Sequence, residues 1–324
     1  MRYLFLILFT VSLNAQILPS QQATHYKKNS AAAGLRAFNN CGKTGYDGPS
    51  QSDCNTAYAS SDLNGEVTVT SGIQYWTVPA TGTYTITAIG ATAGNTNEPT
   101  QTVGFPSQIT GDFSLNQGDV VKILVGQRGW MTVNTSNYYA WGGGGGTFVT
   151  KNDNTILVIA GGTGSAHFLY NASWIGPFDS QSASLTISGN AAPGNNNFGT
   201  NGGGGSTGKG GDAAGYSGNG TTGNNMRIKA ISGMPNHSVP QSFLNGGAGD
   251  AFGGGFGGAG GNTSYWGGGG GGYSGGAGGI SSPYYAGGGG SKNNGSNQTN
   301  ILKGGASATD TNTTMSDGSV TITW

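Results

Sequence analysis

The sequence predicts an all-β protein: an antiparallel β-sandwich with an inserted bundle of polyglycine-II helices. Short segments in which apolar and polar residues alternate recur from residue 66 onward, separated by turn residues, a pattern typical of half-buried strands. Glycine accounts for 66 of the 324 residues and is concentrated in Gly199–Gly211 and Gly246–Gly290. One more alternating segment, Asp317–Trp324, follows the glycine runs. The glycine region is therefore expected to lie between strands of one sandwich.

The longer glycine run does not have the composition of a flexible linker. Linkers are normally filled out with serine, and disordered segments contain few aromatic residues, whereas this run includes Phe252, Trp266 and Tyr273. Ordered glycine loses much backbone entropy, and its amides must find partners. Left-handed helices with three residues per turn have no internal hydrogen bonds, so they can pair with their neighbours. We therefore predict a polyglycine bundle over roughly residues 199–290, without the strict repeat of collagen.

The predicted sandwich strands fall within residues 66–188 and 317–324. No segment shows a sustained helical period, and many short strands between turns favour an antiparallel sandwich. The predicted strands are Glu66–Thr70, Gly72–Pro79, Thr83–Ile89, Gly111–Leu115, Val120–Val125, Thr147–Thr150, Ile156–Ile159, Ser184–Ser188 and Ser319–Trp324.

The N-terminus has the features of an export signal. Met1–Ala15 combines a basic residue, an apolar run and a small residue at the cleavage position, as a secretory signal peptide does. The run is too short to cross a bilayer, and no later segment approaches the roughly twenty apolar residues of a membrane helix. We therefore expect a secreted, extracellular protein without a membrane span, in which Gln16–Ala37 forms a loose N-terminal tail.

Cysteine content and charge narrow the classes of partner. Cys41 and Cys54 are the only cysteines, and an even count in an exported protein favours a disulfide. A zinc site needs more ligands than the cysteines and the three widely spaced histidines supply. The formal net charge is +0 with 8% charged residues, which leaves no electrostatic footprint for nucleic acid. We expect no metal and no cofactor.

An ordered string of motifs resembles the extracellular glycine-rich domain of the anaplastic lymphoma kinase and leukocyte tyrosine kinase receptors. The resemblance covers residues 38–324, and its motifs are more specific than glycine richness alone. It implies a tumour-necrosis-factor-like β-sandwich combined with a polyglycine-helix bundle. In those receptors the region binds small protein cytokines and drives dimerisation. The motifs are Phe38–Gly42, Gly48–Gln51, Cys54–Tyr58, Gly72–Thr81, Tyr84–Ala91, Ile123–Gln127, Trp141–Phe148, Ile156–Gly162, Gly267–Gly276 and Gly318–Ile322.

No catalytic site is predicted. The chain has none of the nucleotide-binding or catalytic-loop signatures of a kinase. Gly203–Gly210 nearly matches a P-loop, but Gly210 replaces the Ser or Thr that binds magnesium. Gly204–Gly208 and Gly272–Gly276 match a nucleophile elbow, as chance allows in a glycine-rich chain, and both lack a strand–turn–helix context. The chain is expected to be non-catalytic.

Two groups of residues are candidates for surface sites. Six aromatic residues lie in loops or at the edges of glycine runs, where they either form a recognition surface or, in the plainer interpretation, cover the bundle. They are Tyr138, Tyr139, Trp174, Tyr265, Tyr284 and Tyr285. Asn-X-Ser/Thr sequons are candidates for N-glycosylation if the source is a eukaryote. They begin at Asn134, Asn171, Asn219, Asn236, Asn262, Asn294, Asn297 and Asn312.

Two classes of function remain open. The first is a secreted, non-catalytic binding module for an extracellular protein or glycan, which the resemblance favours because it includes the sandwich strands. The second is a structural or adhesive protein of a cell surface or matrix, built on a polyglycine scaffold. This second class would self-associate into homo-oligomers, whereas the first would retain a distinct ligand.

Overall fold

Antiparallel strands make up most of the regular structure, as the alternating segments predict. The structure is a computed structural model that describes residues 33–94, 104–133, 139–165, 167–168, 181–223, 238–263, 266–281, 285–303 and 315–324, with 131–133, 139–140 and 167–168 described by their backbone. In chain order the elements are β1 (Leu35–Phe38), α1 (Gln51–Ala57), β2 (Val67–Thr70), β3 (Ile73–Thr77), β4 (Gly82–Ile89), β5 (Ser107–Leu115), β6 (Val120–Leu124), β7 (Met131–Val133), β8 (Tyr139–Trp141), β9 (Thr147–Lys151), β10 (Ile156–Ala160), β11 (His167–Phe168), β12 (Lys292–Asn293), β13 (Ser296–Leu302) and β14 (Ser319–Thr323), with a short 3-10 turn at Phe243–Asn245.

The strands form two principal antiparallel sheets. One has five strands in the order β1-β14-β4-β5-β13, and the other has six in the order β12-β10-β9-β6-β3-β2. The short strands β11, β8 and β7 form a third sheet. Strand β14, from the end of the chain, lies between β1 and β4. Much of the glycine-rich sequence is therefore inserted between strands of one sheet, as predicted.

The two sheets pack face to face around one apolar core. Ile86 and Val320 of the five-stranded sheet belong to the same buried cluster as Val121 and Val158 of the six-stranded sheet. Burial alternates along β4, as a period of two requires. The Trp76 ring lies edge-on to Tyr84 across the sandwich, with ring centroids 6.2 Å apart. The all-β sandwich is confirmed.

One predicted strand is wrong. Ser184–Ser188 forms no strand; instead the Ser184 N–H donates to the Gly289 carbonyl at 2.8 Å, and the Ser291 N–H donates to the Thr186 carbonyl at 2.7 Å. The segment lies against a glycine segment, so its apolar residues are not drawn into the sandwich core. The other predicted strands correspond to β2 to β6, β9, β10 and β14.

The predicted N-terminal tail extends too far. Leu35–Ala37 belong to β1, which pairs with β14 and places Phe38 opposite Val320. Strands β12 and β13 and helix α1 were likewise not predicted. The helix begins after Ser50, whose hydroxyl accepts the Asp53 N–H while the Asp53 carboxylate accepts the Ser50 N–H. This reciprocal capping box stabilises a helix too short to show a period.

Glycine segments pair with one another at intervals of three residues. Gly143 N–H donates to the Gly260 carbonyl and Gly146 N–H to the Gly257 carbonyl, so one chain advances three residues as the other retreats by three. This interval is that of a polyproline-II-type helix, not of a β-ladder; polyglycine-II helices themselves stay a prediction. The same interval recurs in the pairs Gly142–Trp130 with Gly145–Gln127, Gly268–Trp141 with Gly271–Gly144, Gly270–Gly287 with Tyr273–Gly290, and Gly162–Gly271 with Ser165–Gly268.

The paired segments extend beyond the predicted insert. Segments 90–94, 126–130, 142–146 and 161–165, which lie among the sandwich strands, bond to glycines from 246–291. We call all these segments, with 189–223, the glycine bundle. At most of its glycines a Cβ atom would collide with a backbone carbonyl of another segment. Residues 31–324 form one compact unit, and among the described residues no helix is long and apolar enough to cross a membrane.

Gly271→Ala is expected to destabilise the protein by about 3 kcal/mol, the upper range for overpacking. The Gly271 N–H donates to the Gly144 carbonyl at 3.0 Å, and its own carbonyl accepts the Gly162 N–H at 2.8 Å. A Cβ atom there would fall on the Gly257 carbonyl, which is backbone and cannot rotate away. Urea unfolding followed by circular dichroism measures the change.

Gly82→Ala is the matched control for that substitution. Its added Cβ would have its nearest neighbour, the Tyr84 ring, at 3.8 Å, so the expected change is within about 0.5 kcal/mol. Equal destabilisation by the two substitutions would contradict the close packing of the bundle.

A polar clamp fastens β1 to the sandwich. The Arg36 guanidinium donates to both Glu66 oxygens, at 2.7 and 2.9 Å, and Trp76 Nε1 donates to Glu66 Oε2 at 3.2 Å. The guanidinium also lies over the Trp324 ring, 5.3 Å from its centroid. The hydrogen bond from Arg36 is the main cause that lowers the pKa of Glu66, and partial burial opposes it.

The Glu66 contribution to stability should disappear in acid. Because its folded pKa lies below the unfolded value, the ionised carboxylate stabilises the fold above the unfolded pKa, and this contribution is lost as pH falls through the folded pKa. Glu66→Gln should cost up to about 1 kcal/mol near pH 7, as exposed pairs do, and much less near pH 3. Thermal midpoints of both proteins test this; an unchanged gap at low pH would contradict it.

Candidate functional site

A disulfide closes the loop that forms one wall of the candidate site. Cys41 and Cys54 are bonded, with a sequence separation of 13, which confirms the predicted bridge. Cys54 lies in α1 and is buried, and the Tyr58 hydroxyl donates to Gln74 Oε1 at 2.8 Å just beyond the helix. The bridge and the helix therefore fix both ends of the loop to the sandwich. Bridges of this kind belong to extracytoplasmic compartments.

Three consecutive carbonyls of this loop are held by the glycine bundle. The Phe256 N–H donates to the Gly45 carbonyl at 2.7 Å, and the Gly249 N–H to the Tyr46 carbonyl at 2.9 Å. The Gln127 side-chain amide donates to the Asp47 carbonyl at 3.1 Å. The loop is consequently anchored along its backbone, which leaves its side chains to face the cleft.

The opposite wall is the segment that follows β6. The Arg128 N–H donates to Asp317 Oδ1 at 2.8 Å, the Gly129 N–H to the Thr92 carbonyl at 3.2 Å and the Trp130 N–H to the Gly253 carbonyl at 2.9 Å. Every backbone amide of this stretch is thus used within the fold. Its position depends on the bundle as much as on the sandwich.

Together the two walls enclose a cleft of about 370 Å³. The Tyr46 and Trp130 rings lie 6.0 Å apart between centroids and are tilted by 37°. Both rings are half-buried, so part of each remains open to solvent. Such a mixture of aromatic and polar lining is usual for ligand sites. The lining residues are Lys43, Thr44, Gly45, Tyr46, Asp47, Arg128 and Trp130.

The cleft carries two cations and one carboxylate. Within the described part of the chain, the ion pairs are Arg36–Glu66 and Lys151–Asp119, so neither Lys43 nor Arg128 is paired there. The negative charge of Asp47 raises the pKa of the neighbouring Tyr46 hydroxyl, which therefore stays protonated. The cleft thus offers free positive charge beside aromatic surface, with Asp47 and the Thr44 hydroxyl as polar partners.

The structure does not gather the six predicted aromatics into one surface. Tyr138, Trp174, Tyr265 and Tyr284 lie outside the described residues. Tyr139 begins β8. Tyr285 is half-buried at the start of the last glycine segment.

The sequons fall in different environments. Asn219, Asn294 and Asn297 are exposed, and Asn219 uses its Oδ1 to accept the Ser242 N–H at 2.9 Å. Asn262 is fully buried and its N–H donates to the Phe252 carbonyl at 3.0 Å, so a glycan has no room there and this predicted site is wrong. The remaining sequons, which lie outside the described residues, begin at Asn134, Asn171, Asn236 and Asn312.

The P-loop-like segment uses its own amides inside the fold. The Gly208 N–H donates to the Asp212 carboxylate at 2.7 Å, and the N–H groups of Lys209 and Gly210 donate to the Gly279 carbonyl. Burial raises the pKa of Asp212, which also accepts the Thr221 hydroxyl at 2.6 Å. These amides are therefore occupied where a P-loop would present them to phosphate. Among the described residues, no three His, Cys, Asp or Glu side chains form a metal-binding group.

Sequence reasoning missed the residues of the cleft. Tyr46 and Trp130 belong to distant parts of the chain and neither adjoins a glycine run. The available signal was the position of Tyr46 inside a short loop between the two cysteines, since a closed loop presents its side chains at a fixed place.

Removing the disulfide by Cys41→Ser and Cys54→Ser is expected to lower the free energy of unfolding by about 3 kcal/mol, the chain-entropy value for a loop of this size. It should also alter Trp130 fluorescence at temperatures below global unfolding, because the loop would loosen from Trp130. Ser52→Ala, an exposed change in the same helix, is the control. Unchanged stability of the double variant would contradict a structural role for the bridge.

Comparison with known proteins supports a local relationship to the receptors named above. No family model matches the chain. The leukocyte tyrosine kinase receptor of Mus musculus is 38% identical over 95 residues, which cover 28% of this chain and 11% of the receptor. The chain is thus partly similar to this receptor, and the match extends over a small fraction of the receptor's length.

Proposed function

We propose that the chain is a secreted, non-catalytic extracellular binding module whose ligand-binding site is the cleft between the disulfide loop and Arg128–Trp130. The observation that carries this proposal is the cleft itself: an aromatic pair and two cations without ion-pair partners among the described residues, on a backbone anchored from both sides. The disulfide and the predicted signal peptide agree with an extracellular location.

The partial similarity to a receptor supports the same class of function. That receptor is named as a tyrosine kinase receptor, and the motifs of this chain resemble its extracellular glycine-rich region. Binding an extracellular protein or glycan is the role that this resemblance favours. Of the described sequons, Asn219 is the best candidate for glycosylation because it is exposed and engages its Oδ1.

A structural or adhesive role is the second candidate. Strand β13 lies at the edge of the five-stranded sheet with most of its residues exposed, and edge strands can pair with another copy. A groove of about 230 Å³ near this edge is lined by Leu185 and Ile187, which are 39% and 45% exposed. These features favour self-association into larger assemblies.

Capture of a partner by the secreted full-length chain tests the binding module. The tagged protein is incubated with the surface fraction and medium of its source culture, and retained material is analysed by mass spectrometry. The variant Tyr46→Ala/Trp130→Ala should lose the retained ligand, because both aromatic walls are removed. Tyr75→Ala, which removes a half-buried aromatic outside the cleft lining, should retain it.

Size-exclusion chromatography with light scattering separates the two candidate functions. A monomer or dimer that retains a ligand through the cleft supports the binding module. Assemblies that grow with concentration and are unaffected by the cleft variant would overturn it in favour of the adhesive role.

A further inference from the structure

We infer that the cleft takes a saccharide whose terminal unit carries a single carboxylate, such as an uronic or sialic type of acid sugar. This inference rests on the proposed binding function and assigns the chemical class of the ligand. Four properties of the cleft carry it: its free cations, its aromatic surfaces, its one carboxylate and its size.

The cations supply the recognition of the acid group. Arg128 is half-buried at the end of β6, and its guanidinium has no ion-pair partner among the described residues. A guanidinium can bind a carboxylate through two parallel hydrogen bonds, and such charge-assisted bonds are stronger than neutral ones. Lys43 lies on the facing wall and adds a second, more mobile positive charge. A carboxylate between the walls would therefore meet both cations.

The aromatic pair supplies the surface for a sugar ring. Aromatic faces are electron-rich and attract the weakly positive C–H groups of an apolar ring face. Tyr46 and Trp130 are tilted by 37° and not fully stacked, so they leave a wedge of aromatic surface. Gly45 lies against the Trp130 ring with φ of 123°, a conformation that favours glycine, and so holds the loop close to this ring.

Asp47 limits the charge of the ligand. A polyanion would place further negative groups near this exposed carboxylate, which would repel them. The chain also has a formal net charge of +0, so it lacks the positive field that collects polyanions. With a single acid group held by Arg128, Asp47 and the Thr44 hydroxyl are instead available to the hydroxyls of a sugar.

The shape of the cleft favours a saccharide over an acidic peptide. A volume of about 370 Å³ lies in the range of small-ligand sites, roughly 300–1,000 Å³. The walls, residues 43–47 and 128–130, are irregular segments and not strands. They offer no free strand edge of the kind that commonly binds an extended peptide. An acidic peptide is therefore the competing occupant that the test must exclude.

Two pairs of ligands that differ only at the acid group test the inference. Methyl glucuronide is compared with methyl glucoside, and a methyl sialoside with its carboxamide, by titration of the secreted full-length protein followed by Trp fluorescence and calorimetry. In at least one pair the acid should bind ten-fold or more tightly than its neutral counterpart, and which pair does so identifies the sugar. An acidic tetrapeptide is titrated alongside.

Variants then locate the binding. Arg128→Gln and Trp130→Ala should each weaken the acid sugar at least ten-fold, whereas Trp130→Phe should weaken it less because a ring remains. Lys122→Gln, a cation over the Tyr75 ring outside the cleft, should leave binding unchanged. Circular dichroism confirms that each variant is folded, and the ligand pairs test the wild type without any substitution.

The outcomes separate this inference from the proposed function. Equal binding of acid and neutral sugars, absence of binding for all four, or tighter binding of the peptide would overturn the acid-sugar ligand. If the Tyr46→Ala/Trp130→Ala variant nevertheless loses a captured partner, the binding module stands with another ligand. If that variant loses nothing and no sugar binds, both are overturned.

Discussion

The structure depends on the close approach of glycine backbones to one another. In the glycine bundle, N–H groups from one segment reach carbonyls of another at about 3 Å, as between Gly146 and Gly257. This approach leaves no space for a Cβ atom, since the added atom would meet a neighbouring carbonyl. Glycine is the residue that loses most entropy on ordering, so its cost must be offset by satisfied backbone hydrogen bonds and by exclusion of water. The contacts join residues far apart in sequence, which makes the assembly highly non-local and predicts slow folding.

The same constraint determines where side chains can interact. A bundle of glycine backbones has few side chains of its own, so it joins the sandwich through aromatics at its margin. Phe256, from a glycine segment, shares a buried cluster with Leu124 and Phe148 of the six-stranded sheet, and the Phe148 and Phe243 rings stack at 5.1 Å. The Phe256 backbone also holds the disulfide loop and Gln127 in place. One residue thus links the apolar seam to the wall of the cleft.

Sequence pattern predicts the sandwich well and its surroundings less well. Alternation located β4 and β14 because each buries one face in the core. It failed at residues 184–188, where the alternating segment bonds to glycine backbone and leaves Leu185 and Ile187 exposed. It also missed β13, which is mainly polar and is defined by pairing with β5 instead of by burial. The glycine segments between sandwich strands, such as 142–146, join the bundle through contacts that no local pattern records. The cleft was missed for the same reason, since Tyr46 and Trp130 meet only through long-range bonds to the bundle.

These relations explain why a ligand site should form at the margin of the bundle. Backbone amides within the bundle are used by one another, and its centre offers neither charge nor shape to a ligand. Side chains become available only where a loop leaves the packed segments, and the loop at residues 43–47 does so while three of its carbonyls remain held. Its side chains are therefore presented from a fixed backbone, which lowers the entropy lost on binding. Arg128 and Trp130 emerge in the same way from the other side, with their own amides bonded to Asp317 and Gly253. A rigid scaffold without side chains of its own thus concentrates recognition at the few places where side chains leave it.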